Sequence, residues 1–378
     1  MKLFLLLLFW SLWYINFSAK SILSPLMPLI EDEFTITHAM AGVLFFCFWI
    51  GNTVSVFYAG FLSLKIGYKR SILLSFYGMT ITFILLRFAS SYMIFAGIAF
   101  LLGLASGIYL PCGIPLITAV FSPKNWGKAI SVHETAAGFS MLTVPFVVTF
   151  VISVMSWKSV FYLMSGACLL LAVVLHILSP DPRPEKEDKT GIMNIVRRKD
   201  FWIMTALWCS CAIASMGIYN IIPLYLVKER GIPIEAANTM FGFSRTGGFM
   251  AMIFVGFIID RFNLKRLLMI FLLATGLSTI AIAVINIPWL LSATLFLQAT
   301  FSVVFFPAGL VAISKLTTLG ERSVFTGILM SMSGIIGPGL SPIVLGAIAD
   351  VWSFQIGILG SGLLITSTCL LVKYLREV

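Results

Sequence analysis

Read by hydrophobicity alone, the chain is a succession of apolar runs about 20 to 30 residues long, separated by short polar connections. The expected spans are 4–30, 39–63, 71–90, 92–121, 128–156 and 159–178, then 201–226, 236–260, 264–286, 288–314, 323–348 and 353–374. A run of that length crosses a hydrocarbon layer of about 30 Å as an α-helix. In lipid an isolated apolar segment satisfies its backbone only by coiling. The pattern therefore predicts an all-α polytopic membrane protein of twelve transmembrane helices, numbered 1 to 12 in chain order. Two six-helix halves, residues 1–178 and 201–378, flank a polar linker over 179–200. The linker contains Ser179-Pro-Asp-Pro-Arg-Pro-Glu-Lys-Glu-Asp-Lys189 and ends in Arg197-Arg198-Lys199. Met1-Lys2 followed by LFLLLLFWSLWY has the form of a signal peptide, but the apolar character continues to Ile30, so the segment is expected to remain as helix 1.

Composition agrees. Of 378 residues 60% are apolar and 11% charged, with a mean hydropathy of +1.04. A water-soluble domain carries about 25% charged residues, so a soluble globule is excluded. The net charge of +10 would suggest a nucleic-acid partner if the basic residues shared a face; they lie instead in alternate short connections, which removes that partner. Nineteen of the 25 Lys and Arg fall on the side that holds the N-terminus, against four, Arg87, Lys158, Lys228 and Arg230, on the other. By the positive-inside bias both termini and the linker are expected in the cytoplasm, in a multi-pass protein of the cytoplasmic (inner) membrane. The six cysteines lie in apolar runs and read as packing residues, with no metal site implied. No Walker sequence, zinc cluster or nucleophile elbow appears, so neither an enzyme activity nor a cofactor is expected.

The halves repeat. Gly60 and Gly256, Pro111 and Pro307, and Gly138 and Gly334 are each separated by 196 residues, and Trp157 and Trp352 by 195. Paired six-helix repeats are one known transporter architecture. The connection after helix 8 reads Gly256-Phe-Ile-Ile-Asp260-Arg261-Phe-Asn263-Leu-Lys265-Arg266, and that after helix 2 reads Gly60-Phe-Leu-Ser-Leu64-Lys65-Ile-Gly67-Tyr-Lys69-Arg70. These resemble the Gly-x-x-x-Asp-Arg/Lys-x-Gly-Arg-Arg/Lys loop signature of the major facilitator superfamily, and the resemblance covers nearly the whole chain. The first copy lacks the acid, with Leu64 in its place, and the second has Asn263 for the inner glycine. The resemblance implies the superfamily fold, a cavity surrounded by helices 1, 4, 7 and 10, and cytoplasmic gating by Gly60, Lys65, Gly67, Lys69, Arg70, Gly256, Asp260, Arg261, Lys265 and Arg266. The helix-4 Arg and helix-5 glycine pattern of proton-coupled drug antiporters do not carry over. The helix-1 Arg of organophosphate antiporters, eight residues before a Pro, corresponds to Lys20 before Pro28, but its helix-7 partner does not, since Ser215 stands eight residues before Pro223.

Within the apolar runs, charge points to chemistry. Arg245 lies about midway along helix 8, where an unpaired guanidinium costs a few kcal/mol even on lenient scales and is retained with an internal partner, a wet cavity or an anionic ligand. It is either an anion clamp, offering bidentate donors to carboxylate, sulfonate or phosphate oxygens, or a structural charge held by an acid on a facing helix. Lys20 in helix 1 either faces the cavity or snorkels toward the outer headgroups. Two cations in one chamber would favour an anion. His133-Glu134 in helix 5 are candidates for proton coupling; neighbours on a helix point about 100° apart, so at most one of them faces the cavity squarely. Tyr14, Asn16, Tyr109, Tyr219, Asn220 and Gln298 either line the cavity or make interhelical hydrogen bonds. Glycines 97, 103, 107 and 113 in helix 4 read as close-packing positions.

The expected function is secondary transport of a small solute, an organic or inorganic anion, by alternating access in a monomer, imported with protons. The alternatives are a drug or metabolite exporter and a non-transporting membrane sensor or scaffold.

Overall fold

A computed structural model describes residues 2–180 and 192–375; most of the linker expected over 179–200 lies outside the described residues. No strand occurs among the described residues. Helix 1 comprises Lys2–Ser21 and Leu23–Phe34, helix 2 His38–Ile66, helix 3 Tyr68–Phe88, helix 4 Tyr92–Gly107 and Tyr109–Val120, helix 5 Trp126–Val154 and helix 6 Ser159–Leu178. After a short helix, Ile192–Val196, helix 7 runs in four pieces from Lys199 to Glu229. Helix 8 is Ile234–Arg261, helix 9 Leu264–Val284, helix 10 Pro288–Leu316, helix 11 Leu319–Gly334 continuing to Val351, and helix 12 Phe354–Thr368 with a 3₁₀ turn Cys369–Tyr374.

The ends differ from expectation where charge was read as connection. Helix 1 continues past Ile30 through Glu31, Asp32 and Glu33 and stops at Thr35, whose φ of 48° is the left-handed conformation that closes a helix. The breaks follow proline chemistry. A proline has no N–H to give the carbonyl four residues earlier and pushes that carbonyl away. Helix 1 breaks after Ser21, four before Pro25; helix 4 after Gly107, four before Pro111; helix 11 after Gly334, four before Pro338. Helix 7 contains π-turns at Ile213–Gly217 and Tyr225–Glu229, and helix 11 one at Ile335–Leu340. Asn220 Nδ2 donates to Pro338 O at 3.2 Å and Gln298 Nε2 to Ala214 O at 2.8 Å, so side chains from neighbouring helices satisfy carbonyls that the irregular turns release.

Contacts divide the chain into two units, Met1–Ile36 with Leu44–Glu187, and Thr37–Val43 with Asp188–Val378. The first turn of helix 2 thus belongs to the second unit, where the Asp350 carboxylate accepts from the His38 and Ala39 N–H groups at 2.8 and 3.0 Å.

The 196-residue register extends from sequence to contacts. Lys69 Nζ donates to Ser179 O at 2.8 Å, and its counterpart Lys265 Nζ to Leu375 O at 2.6 Å. Each ammonium sits at the negative end of the last helix of its half. Glu33 pairs with Lys158 at 2.7 Å, while the counterpart of Glu33, Glu229, accepts from the N–H groups of Phe354 and Gln355 and caps helix 12. The two loop copies start the following helix differently. Gly67 precedes helix 3 with a φ of 88°, a conformation natural to glycine, whereas Asn263 stays extended and its side chain accepts from Arg266 N at 3.1 Å.

Close helix crossings rest on glycines. A Cβ on Gly103 would stand 2.0 Å from Phe48 O, and one on Gly51 2.2 Å from Phe100 O. At Gly97 it would meet nothing within 4 Å, so the packing expectation is corrected there: Gly97 faces open space. Gly103→Ala is expected to cost about 1–3 kcal/mol by overpacking, lowering the melting temperature of the detergent-solubilised protein by several degrees, while Gly97→Ala leaves it unchanged. Equal melting curves for the two variants would contradict this account of the crossing.

Candidate functional site

In the second unit the site is built on Arg245. It stands in the middle of the 28-residue helix 8 and is 3% exposed. Its guanidinium carbon lies 4.8 Å from the centre of the Tyr219 ring on helix 7 and 5.0 Å from that of Phe241, one turn earlier on its own helix. The two rings are 4.5 Å apart and both residues are buried. Nε and both terminal nitrogens find no hydrogen-bond acceptor, and no acid among the described residues pairs with the group. Among the described residues, the structural-charge alternative finds no acid to hold the group. Aromatic faces attract a desolvated cation by about 2 kcal/mol, but they leave five N–H donors aimed at no oxygen.

In the first unit the cation is Lys20, also buried. Its Nζ lies over Trp13 at 4.9 Å, over Phe17 at 5.8 Å and over Trp49 of helix 2 at 5.8 Å. Snorkelling is thus not what the side chain does; the amine rests on rings. Trp49 is the 196-residue counterpart of Arg245. Each half therefore joins a cation to an aromatic across its first two helices, with the carriers exchanged: Lys20 on helix 1 against Trp49 on helix 2, and Arg245 on helix 8 against Tyr219 on helix 7.

Beside Lys20, Trp13 stacks on Tyr109 (5.5 Å, 12°) and on His133 (5.6 Å, 8°). Tyr109 and His133 are buried. The Tyr109 hydroxyl lies 3.0 Å from Phe9 O and 3.0 Å from His133 Nε2, and His133 Nδ1 lies 2.9 Å from Glu134 Oε1. Only Glu134 reaches the surface, its side chain 44% exposed, as the 100° offset between neighbours requires.

The remaining candidates separate. Tyr14 is half-buried, its hydroxyl 2.8 Å from Thr143 Oγ1. Asn16 is fully buried and donates to Ser106 O at 3.0 Å, and Asn220 and Gln298 serve the carbonyls described above, so these three amides make the interhelical bonds that were the other reading of them. Lys69 and Lys265 are the helix-capping residues; Lys65, Arg70, Arg261 and Arg266 are exposed or partly so. A Cβ on Gly60 or Gly256 would meet nothing. Asp260 lies in helix 8, and its side chain is outside the described residues. Sequence reasoning missed Trp49, Phe17 and Phe241. The repeat register held the signal for Trp49, and the one-turn spacing to Arg245 held it for Phe241.

Comparison with known proteins is consistent with this architecture. The family model of the Major Facilitator Superfamily matches residues 9–288 and 236–378. The "Protein TsgA homolog" of Buchnera aphidicola subsp. Acyrthosiphon pisum is 25% identical over 68% of this chain and 65% of its own length, so the chain spans just under two thirds of that relative. The "Multidrug resistance protein MdtG" of Serratia proteamaculans is 22% identical over 79% of this chain and 76% of its own length. Among solved structures, the nucleoside transporter NupG superposes with a TM-score of 0.85 at 14% identity, covering 99% of this chain and all of the other. The chain belongs to the Major Facilitator Superfamily of membrane transporters and is not an enzyme.

Proposed function

We propose that the chain carries a small organic or inorganic anion across the cytoplasmic membrane by alternating access, with Arg245 as the group that takes the anion. The observation that carries this reading is the buried guanidinium whose three nitrogens have no acceptor. A charge kept in that state costs a few kcal/mol, and planar oxyanions match the guanidinium fork with two parallel hydrogen bonds. Tyr219 and Phe241 hold the fork in place; Lys20 supplies a second cation in its own half. Residues 1–178 and 201–378 act as the two moving halves about the 179–200 linker, with both termini cytoplasmic, in a monomer whose loops after helices 2 and 8 gate the inner side. Import is driven by protons that use the His133–Glu134 pair.

The test is the thermal shift of the purified protein beside Arg245→Ala, against carboxylates, sulfonates, phosphates and lipophilic cations. A ligand that binds the native state alone raises apparent stability once its concentration passes its dissociation constant. An anion is expected to stabilise the wild type and not the variant. If no anion does so while a lipophilic cation stabilises both, the second reading takes over, a drug or metabolite exporter, which the likeness to the Serratia multidrug resistance protein favours.

A further inference from the structure

The first unit contains a hydrogen-bond chain whose order is fixed by proton counting. Tyr109 has one hydroxyl proton and two neighbours at 3.0 Å, Phe9 O and His133 Nε2. A carbonyl oxygen only accepts. When the phenol donates to Phe9 O, Nε2 must carry hydrogen and donate to the phenol oxygen. Nδ1, 2.9 Å from Glu134 Oε1, then meets the carboxyl in one of two ways: imidazolium with carboxylate, or neutral imidazole with carboxylic acid. Either way the His133–Glu134 pair holds two protons. Remove one, and the remaining proton lies on Nδ1 facing the carboxylate; Nε2 becomes an acceptor, the phenol turns to it, and Phe9 O loses its donor from helix 4.

We propose that Tyr109 is a positioning residue that reads the proton count of the His133–Glu134 pair and relays it to helix 1 through Phe9 O. This deepens, and rests on, the proton-coupling reading of that pair. The wire joins three helices of one unit. Glu134 is its exposed end, His133 and Tyr109 are its buried middle, and the Phe9 carbonyl is its end on the helix that also carries Lys20. Trp13 stacks on both Tyr109 and His133, and the imidazole and phenol lie within 15° of parallel, which limits the rotation of both rings.

Other titratable groups around the pair are accounted for. On helix 1, Lys20 lies over Trp13, Tyr14 is bound to Thr143, and Glu33 is paired with Lys158 at the far end, beside Glu31 and Asp32. On helix 4 Tyr109 belongs to the chain itself, the buried Cys112 lies three residues beyond it, and Tyr92 starts the helix at its other end. Lys128 of helix 5 lies six residues before Glu134, about 9 Å along the axis, and His176 is exposed near the end of helix 6.

The experiment is hydrogen–deuterium exchange of the full chain in detergent at two well-separated acidities, about pH 5 and about pH 8. It is read on helix-1 peptides containing Phe9 and Trp13, after the intrinsic pH dependence is divided out. In the wild type, exchange is expected to be about fivefold faster at the higher pH, the change that one net hydrogen bond carries. Glu134→Gln places a neutral amide donor against Nδ1, as the carboxylic acid does, and is expected to exchange slowly at both pH values. Tyr109→Phe keeps the ring stack and loses the hydroxyl, and is expected to exchange fast at both. A wild type without pH dependence overturns the proposal, and so does a Tyr109→Phe or Glu134→Gln protein that keeps it. The proton-coupling reading fails separately, through uptake that ignores an imposed proton gradient while the helix-1 response remains.

Discussion

Arg245→Met is expected to reduce anion uptake into proteoliposomes at least about a hundredfold and, in the absence of anion, to raise the melting temperature. The two effects have one cause. In the resting protein the guanidinium is buried with three unpaired nitrogens, and an apolar side chain of similar length removes a desolvation cost of a few kcal/mol. Methionine also packs well against Tyr219 and Phe241 through sulfur–aromatic contacts. An anion restores the missing acceptors in the wild type alone, so the order of stability reverses when a bound anion is present in excess. A hundredfold loss corresponds to about 2.7 kcal/mol, within the range for losing a bidentate charge-assisted pair. Arg245→Lys keeps the charge and loses the fork, so it is expected to fall between the two. A variant that melts lower than the wild type without anion, or that transports normally, would show that the arginine braces the helix pair and does not clamp an anion.

Much of this was legible because lipid imposes strict conditions. A chain whose apolar runs must each satisfy their own backbone has little choice but helices, so the twelve spans and the depth of Arg245 follow from residue order. The 196-residue register was legible because Gly60, Pro111 and Gly138 recur at Gly256, Pro307 and Gly334, yet the local outcome differs: helix 4 breaks before Pro111, whereas helix 10 runs unbroken through Pro307. What the register does not disclose is which solution each half adopts. Gly67 with its positive φ and Asn263 with its capping amide start equivalent helices by different means, and a pattern that scores Asn263 as a departure misses that it does the same work.

Side-chain direction was harder to read. Helix 1 itself supplies two of the three rings over which Lys20 lies, Trp13 and Phe17, but the third, Trp49, is 29 residues away on another helix. Asn16, Asn220 and Gln298 are polar residues in apolar helices, and sequence offers two uses for such residues. The choice depends on where neighbouring helices release carbonyls, as at Ala214 and Pro338, and those releases arise from π-turns that no periodicity in the sequence announces. The first loop copy departs from the signature by lacking its acid, with Leu64 in that place. Yet Lys69 and Lys265 make the same capping contact in both halves, so the loop keeps that function without the acid at Leu64.

Glu134→Gln is expected to abolish proton-driven accumulation while leaving exchange intact. Glu134 is the exposed end of the chain through His133 and Tyr109, and on the proposed reading it is the group that takes up the coupling proton. An imposed gradient of about one pH unit stores about 1.4 kcal per mole of protons, enough for about a tenfold accumulation at one proton per solute. Glutamine holds the chain in its proton-loaded order permanently, so no proton is released on the far side and the accumulation ratio is expected to fall to about one. Counterflow requires the carrier to reorient loaded in both directions, and a permanently loaded pair permits that. The sign on pH follows: wild-type uptake is faster when the outside is acidic, whereas the variant is indifferent to external pH. The measurement is solute uptake and counterflow in the same proteoliposomes, with and without an inside-alkaline gradient. A variant that still accumulates solute with the gradient would place the coupling proton elsewhere, and one that loses counterflow as well would assign Glu134 to the transport path itself.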